Sequence, residues 1–164
     1  MEARPKIKIA LTQSDKIFEI GGIVLLAIMW ALALINYFQS PETVAIHFDF
    51  SGHPDGYGNK LTNFLLTLIA TIIYLGLTQL NKYPHFFNYM TKLTEENAAR
   101  QYTGATKMIR ILKISIVLIF TIEILSALLM TLGIFNGIGI WSLPLTILIL
   151  AVPVIYAISQ SLNK

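Results

Sequence analysis

His47, Asp49, His53 and Asp55 are the densest group of potential ligands in the chain, spaced H-x-D-x-x-x-H-x-D. Imidazole and carboxylate suit zinc and related ions. The spacing lacks the helical HExxH arrangement that sets two imidazoles and a general base on one face. Three readings of this segment stay open: a metal site, a contact surface for a protein or peptide, and a solvated structural loop. Lys60 ends the segment at the headgroup boundary. His85 lies in an aromatic run without a neighbouring acid to orient it, which favours a packed interfacial histidine over a general acid or base. The chain has no cysteine and therefore no thiolate, disulfide or cysteine metal site. No nucleophile–base pair emerges, so neither an enzyme nor a cofactor is expected.

Glu123 is the second candidate. It alone interrupts an uncharged run from Ile114 to Gly133. At the bilayer centre an ionised acid costs about 2.5–3.5 kcal/mol, and no basic residue is expected at its depth. A protonated acid, a hydrogen-bonded acid or one facing a hydrated cavity follows. Ser115, Ile119, Glu123, Ser126 and Met130 share one approximate helical stripe, and Thr67, Thr71, Tyr74 and Thr78 share another on the preceding helix. Antiparallel packing predicts a polar contact of Glu123 and Ser126 with Thr67 and Thr71. It would serve as interhelical glue or as a proton- or ligand-coupled site.

The elements that must position these residues are written in the composition. Apolar residues make up 55% of the chain and charged residues 13%, against roughly 25% charge in an ordinary soluble domain. Charge is absent from Ile20 to Pro41, Leu61 to Asn81 and Ile134 to Asn163. A bilayer-spanning helix needs about 20 apolar residues, so four spans are predicted over 17–38, 61–80, 111–132 and 140–159 of one membrane domain. The fold class is an all-α integral membrane protein, a four-helix bundle with a short outer strand–turn between helices 1 and 2. The first run is longer than a signal h-region and lacks a small-residue cleavage signature, so it reads as helix 1.

Basic residues set the predicted orientation. Arg4, Lys6, Lys8 and Lys16 precede helix 1, and Lys82, Lys92, Arg100, Lys107, Arg110 and Lys113 lie between helices 2 and 3. The loop 39–60 carries only Lys60 against Glu42, Asp49 and Asp55, and the link between helices 3 and 4 has no charge. Both termini and the linker 81–110 are therefore expected in the cytoplasm, with Lys107, Arg110 and Lys113 reaching for lipid headgroups. Membrane lipids account for the net charge of +3, and no nucleic-acid partner is expected because the basic residues divide among membrane boundaries.

Val44, Ile46, Phe48 and Phe50 alternate with Ala45, His47, Asp49 and Ser51, the period of a strand whose apolar face can lie on the helix ends. Gly52, Pro54, Asp55, Gly56 and Gly58 predict turns leading to helix 2, with Asn59 near its cap. On the opposite side, Tyr83 to Met90 form an interfacial aromatic belt. Thr94 predicts the cap of a helix that continues into helix 3, without a Glu or Gln at Asn97 to complete a capping box. Gly104 marks a candidate bend and Pro153 a kink in helix 4. Asn136-Gly137 predicts a tight turn between helices 3 and 4.

The segment Pro41–Lys60 resembles the outer-loop signature of an uncharacterised bacterial membrane-domain family, which also occurs at the amino end of Sdp-type immunity membrane proteins. The matching residues are Pro41, His47-Phe48-Asp49, Gly52-His53-Pro54-Asp55 and Lys60. The inner run Tyr83–Tyr89 and the later Asn97, Gln101 and Tyr102 are also similar. The resemblance implies a binding, sensing or immunity-type module in the bacterial inner membrane, with a peptide or protein toxin as one candidate partner at the outer face. It brings no catalytic mechanism. A proton-coupled transporter or accessory subunit using Glu123 is the alternative, and a membrane-protein partner or a second copy of the chain remains open.

Overall fold

The computed structural model describes residues 4–49, 53–89 and 91–162, with side chains to residue 160. Phe50, Ser51, Gly52 and Met90, named above for the strand, the turn and the aromatic belt, lie outside the described residues. Among the described residues there are four α-helices: α1 (Gln13–Gln39), α2 (Thr62–Leu80), α3 (Glu95–Thr131) and α4 (Ser142–Leu162). Each is long and apolar enough to cross a membrane. Between α1 and α2 stands an antiparallel hairpin of β1 (Thr43–Phe48) and β2 (Pro54–Asn59).

Local capping sets where α1 and α3 begin. Thr12 accepts from the Asp15 amide while Asp15 accepts from the Thr12 amide, so α1 starts ahead of the apolar run at Ile17. Thr94 and Asn97 make the same reciprocal pair, at 3.4 and 2.9 Å. Asn97 thus completes the capping box that was expected to lack its second member, because its side-chain oxygen accepts as a Glu or Gln would. From this cap α3 runs 37 residues without interruption, through Gly104. At its far end Gly133 (φ 68°) returns its amide to Met130 O and Ile134 returns its amide to Leu129 O, a Schellman closure that removes two orphan carbonyls.

α3 is the centre of the bundle. It packs against each of the other helices, most extensively against α1. Met29 and Ala33 of α1, Ala70 and Tyr74 of α2, and Val117 and Ile124 of α3 make the buried core. Gly22 lets α1 come close: a Cβ there would lie 2.8 Å from the Tyr74 hydroxyl and 3.3 Å from Ile114. Small residues at such crossings bring helix backbones together where lipid offers no hydrophobic drive between helices. α4 lies along α3, with Gly104 facing the Gln160 side chain near one end and Glu123 meeting Ser142 at the other. Pro153 is buried and α4 continues through it. Only 6% of the α4 apolar window is buried, which leaves most of its surface to surrounding apolar groups.

The hairpin differs from the expected strand followed by turns. Pro54-Asp55-Gly56-Tyr57-Gly58-Asn59 forms a second strand, pairing Val44 with Gly58 and Ala45 with Tyr57, with irregular register at His47. Glycines usually weaken strands, but here Gly58 faces Ile46, and a Cβ would meet its side chain at 2.7 Å. Asn59 accepts from the Leu61 amide at 2.9 Å and holds the start of α2. The hairpin's apolar residues do not sink fully onto the helices, for Ile46 and Phe48 remain exposed.

Candidate functional site

The hairpin residues resolve into separate pairs. His47 Nδ1 meets Asp55 Oδ1 at 2.5 Å across the strands, both side chains well exposed. The His53 amide donates to Asp49 Oδ1 at 2.8 Å, and its ring Nδ1 lies 3.5 Å from Asp49 Oδ2. Among the described residues, no three His, Cys, Asp or Glu side chains converge on a point where a metal could sit. Lys60 belongs to the hairpin's base: it pairs with Glu42 at 2.9 Å and stands over the Tyr37 ring. It therefore ties β1 and β2 to the end of α1.

Beside the end of β1 lies a cavity of about 650 Å³, walled by the last turns of α3 and the first of α4. Phe48 and Asp49 stand at the hairpin side, Ala127, Met130, Ile140 and Leu143 supply apolar wall, and Glu123 supplies the carboxylate. Glu123 Oε1 accepts from the Ser142 hydroxyl at 2.5 Å. Ser142 opens α4, so the acid sits at a helix N-terminus, whose dipole favours negative charge. Ser126 accepts from the Ile138 amide at 3.2 Å and pins the α3–α4 link beside it. Gly137 (φ 91°) crosses so close that a Cβ would fall 2.7 Å from Met130 Sδ.

This geometry corrects the predicted contact between Glu123 and the threonine stripe. Thr67 and Thr71 return their hydroxyls to Asn63 O and Thr67 O on their own helix, and Thr71 also accepts from Trp30 Nε1 at 3.0 Å. Thr71 joins α2 to α1, whereas Glu123 joins α3 to the start of α4 and Ser126 joins it to the link before α4. A helix buried between three others has several inward faces, and periodicity does not say which neighbour each one meets.

A charged cluster at the other end was missed. Lys113 is fully buried, 2.5 Å from Glu19 Oε2 and 2.9 Å from Thr78 Oγ1, with its ammonium over the Tyr74 ring. Arg110 reaches Glu19 through Nε at 3.0 Å and Asp15 through Nη1 at 3.5 Å. Arg110 and Lys113 therefore turn into the bundle rather than out to headgroups as expected, because α1 presents two carboxylates one helical turn apart. The available signal was the Asp15/Glu19 (i, i+4) pair matched by Arg110/Lys113 (i, i+3). From this cluster to the hairpin end, α1 beyond Glu19 runs about 30 Å, α2 about 28 Å and α3 beyond Lys113 about 27 Å. Each matches a hydrocarbon core of about 30 Å.

Below the cluster the segment before α1 straps the linker. Arg4 Nη1 donates to the carbonyls of His85 and Phe87, and the Tyr102 hydroxyl donates to Pro5 O. His85 packs its ring against Phe86 at 4.2 Å. Tyr89 donates to Pro84 O at 2.9 Å, and burial beside Tyr102 pushes its hydroxyl pKa up.

Residues 24–73 match a family described as a domain of unknown function (DUF1648). The matched stretch covers the later part of α1, the hairpin and nearly the first two thirds of α2. An uncharacterised protein of Archaeoglobus fulgidus is 33% identical over 86 residues, which is 48% of this chain and 47% of that protein. The match thus spans about half the length of the relative, and it lies in an archaeon rather than a bacterium. No solved structure matches the chain.

Proposed function

We propose that this chain is a non-catalytic membrane module that binds a ligand or partner at its hairpin end, with both termini in the cytoplasm. The observation carrying this reading is the cavity lined by Phe48 and Asp49 of the hairpin, which brings an acid, a hydroxyl and apolar wall together. The excess of Lys and Arg in the linker and before α1 supports the orientation. Lipid covers the exposed apolar faces of α1, α2 and α4. The immunity-type version, with a toxin at the hairpin in a bacterial inner membrane, draws its support from the Pro41–Lys60 resemblance.

The absence of native cysteine makes a direct test clean. Ala127→Cys in the cavity wall and Glu96→Cys near the start of α3 are treated in intact cells with a membrane-impermeant maleimide. The cavity cysteine is expected to label from outside and the α3 cysteine only after permeabilisation. Labelling in the reverse order overturns the orientation, and a cavity cysteine silent from both sides overturns the accessible site. For the immunity version, deletion lowers tolerance to a verified partner toxin, and an Asp49→Ala/Asp55→Ala gene fails to restore it. Unchanged tolerance removes that version.

One observation favours the transport alternative: Glu123 faces the cavity rather than being sealed in the core. It predicts solute-dependent proton flux in vesicles that Glu123→Gln abolishes while insertion stays normal.

A further inference from the structure

We infer that the cavity takes a cationic amphiphile, a protonated amine on a single apolar chain, with the ammonium on Glu123 and the chain along Met130, Ile140 and Leu143. The inference rests on the binding reading above and names the ligand class for the same site.

Charge is the first argument. Among the described residues, the ionisable side chains lining the cavity are Glu123 and Asp49, both carboxylates, with no Lys, Arg or His. The start of α4 favours an anion, but the protein already supplies one there in Glu123, held by the Ser142 hydroxyl. An ionised carboxylate accepts about four hydrogen bonds, and Ser142 provides one. An incoming ammonium brings three donors and no acceptor, so it complements what is left, whereas an anionic headgroup meets repulsion from Glu123. Asp49, paired with His53 at the hairpin end, adds negative potential at the mouth.

Shape is the second argument. Pockets that bury small molecules run about 300–1,000 Å³ with mostly apolar walls and few polar groups, and this cavity of about 650 Å³ follows that pattern. Glu123 and the Ser142 hydroxyl meet in its wall, and Met130, Ile140 and Leu143 supply apolar surface, which suits a ligand polar at one end. Trp141 lines the cavity and is 70% exposed, so its ring can also lie against a cation near the mouth.

The test uses the full chain in discs of phosphatidylcholine, a lipid without a primary amine. Three probes share one brominated twelve-carbon chain and differ in the end group: primary amine, alcohol or carboxylic acid. Bromine quenches tryptophan fluorescence, and Trp141→Phe identifies the component that arises at the cavity. The amine is expected to quench saturably and to bind at least about tenfold more tightly than the alcohol or the acid, as a charge-assisted hydrogen bond requires. Glu123→Gln is expected to bring the amine to within about twofold of the alcohol while leaving the alcohol unchanged. Alcohol or acid binding as tightly as the amine overturns the inference, as does an amine preference that survives Glu123→Gln. The three-probe comparison on the wild type stands whether or not a variant folds. Equal saturable binding of all three, lost in Ala127→Phe, removes the charge preference and leaves the binding reading intact. Absence of saturable quenching by any probe removes both.

Discussion

Removing one partner from the buried charged cluster should expose how strongly it holds three helices together. Two carboxylates, Asp15 and Glu19, balance two cations, Arg110 and Lys113, in a region where the Lys113 side chain is inaccessible to water. Glu19→Gln leaves one excess positive charge, Lys113→Met leaves one excess negative charge, and the double variant is balanced again. An uncompensated buried charge costs about 3–5 kcal/mol. Glu19 serves both cations and Lys113 serves one acid, so Glu19→Gln is expected at the upper end of that range and Lys113→Met at the lower. In the double variant, Met fills much of the lysine's volume and Arg110 keeps Asp15. The pair should then cost about 2–3 kcal/mol less than the sum of the singles, a coupling within the range seen for residues in contact. The measurement is reversible unfolding in mixed micelles by denaturing detergent, read by helix content, for the wild type, both singles and the double. Additivity within about 0.5 kcal/mol, or singles that unfold with the wild type, would refute the argument that this network is a desolvated, mutually dependent unit.

Other outcomes follow from single contacts. Gly22→Ala places a Cβ 2.8 Å from the Tyr74 hydroxyl, so the same unfolding assay should show a loss of about 1–3 kcal/mol from overpacking, while Gly21→Ala, with open space around it, should not. Asn97→Ala breaks the reciprocal cap at Thr94; it should cost about 1 kcal/mol and speed amide hydrogen exchange in the first turn of α3 alone. Asp55→Asn removes the exposed partner of His47 and should change stability by less than about 1 kcal/mol, so any larger loss of binding at the hairpin would come from contact rather than unfolding.

Residue order alone determined the four membrane-length helices, because uncharged runs long enough to cross a bilayer have few other stable homes. It also determined the join of the linker helix to α3, since a capping threonine and an unbroken helical run are local facts, whereas the turn expected at Asn136-Gly137 falls instead at Leu132-Gly133. The second strand was less legible. Pro54, Gly56 and Gly58 carry turn chemistry, and only pairing with β1 makes that stretch extended. The capping box at Thr94 was hidden for a smaller reason: asparagine can supply the accepting oxygen usually sought from Glu or Gln.

Glu123 shows where local reading stops. Its rarity inside an apolar run marked it from the sequence, yet the partner was assigned to the wrong helix, because a central helix has more than one inward face. Only tertiary packing brought Ser142 to that acid and set Phe48 and Asp49 of the hairpin in the same cavity. The Asp15–Glu19–Arg110–Lys113 cluster is the same lesson in reverse. Arg110 and Lys113 look individually like headgroup anchors, and it takes the apposition of α1, with Asp15 and Glu19, to turn them inward, where pairing offsets the cost of leaving water. Composition and periodicity fix which segments avoid water; which polar groups meet in the space between them is settled by the packing of distant segments.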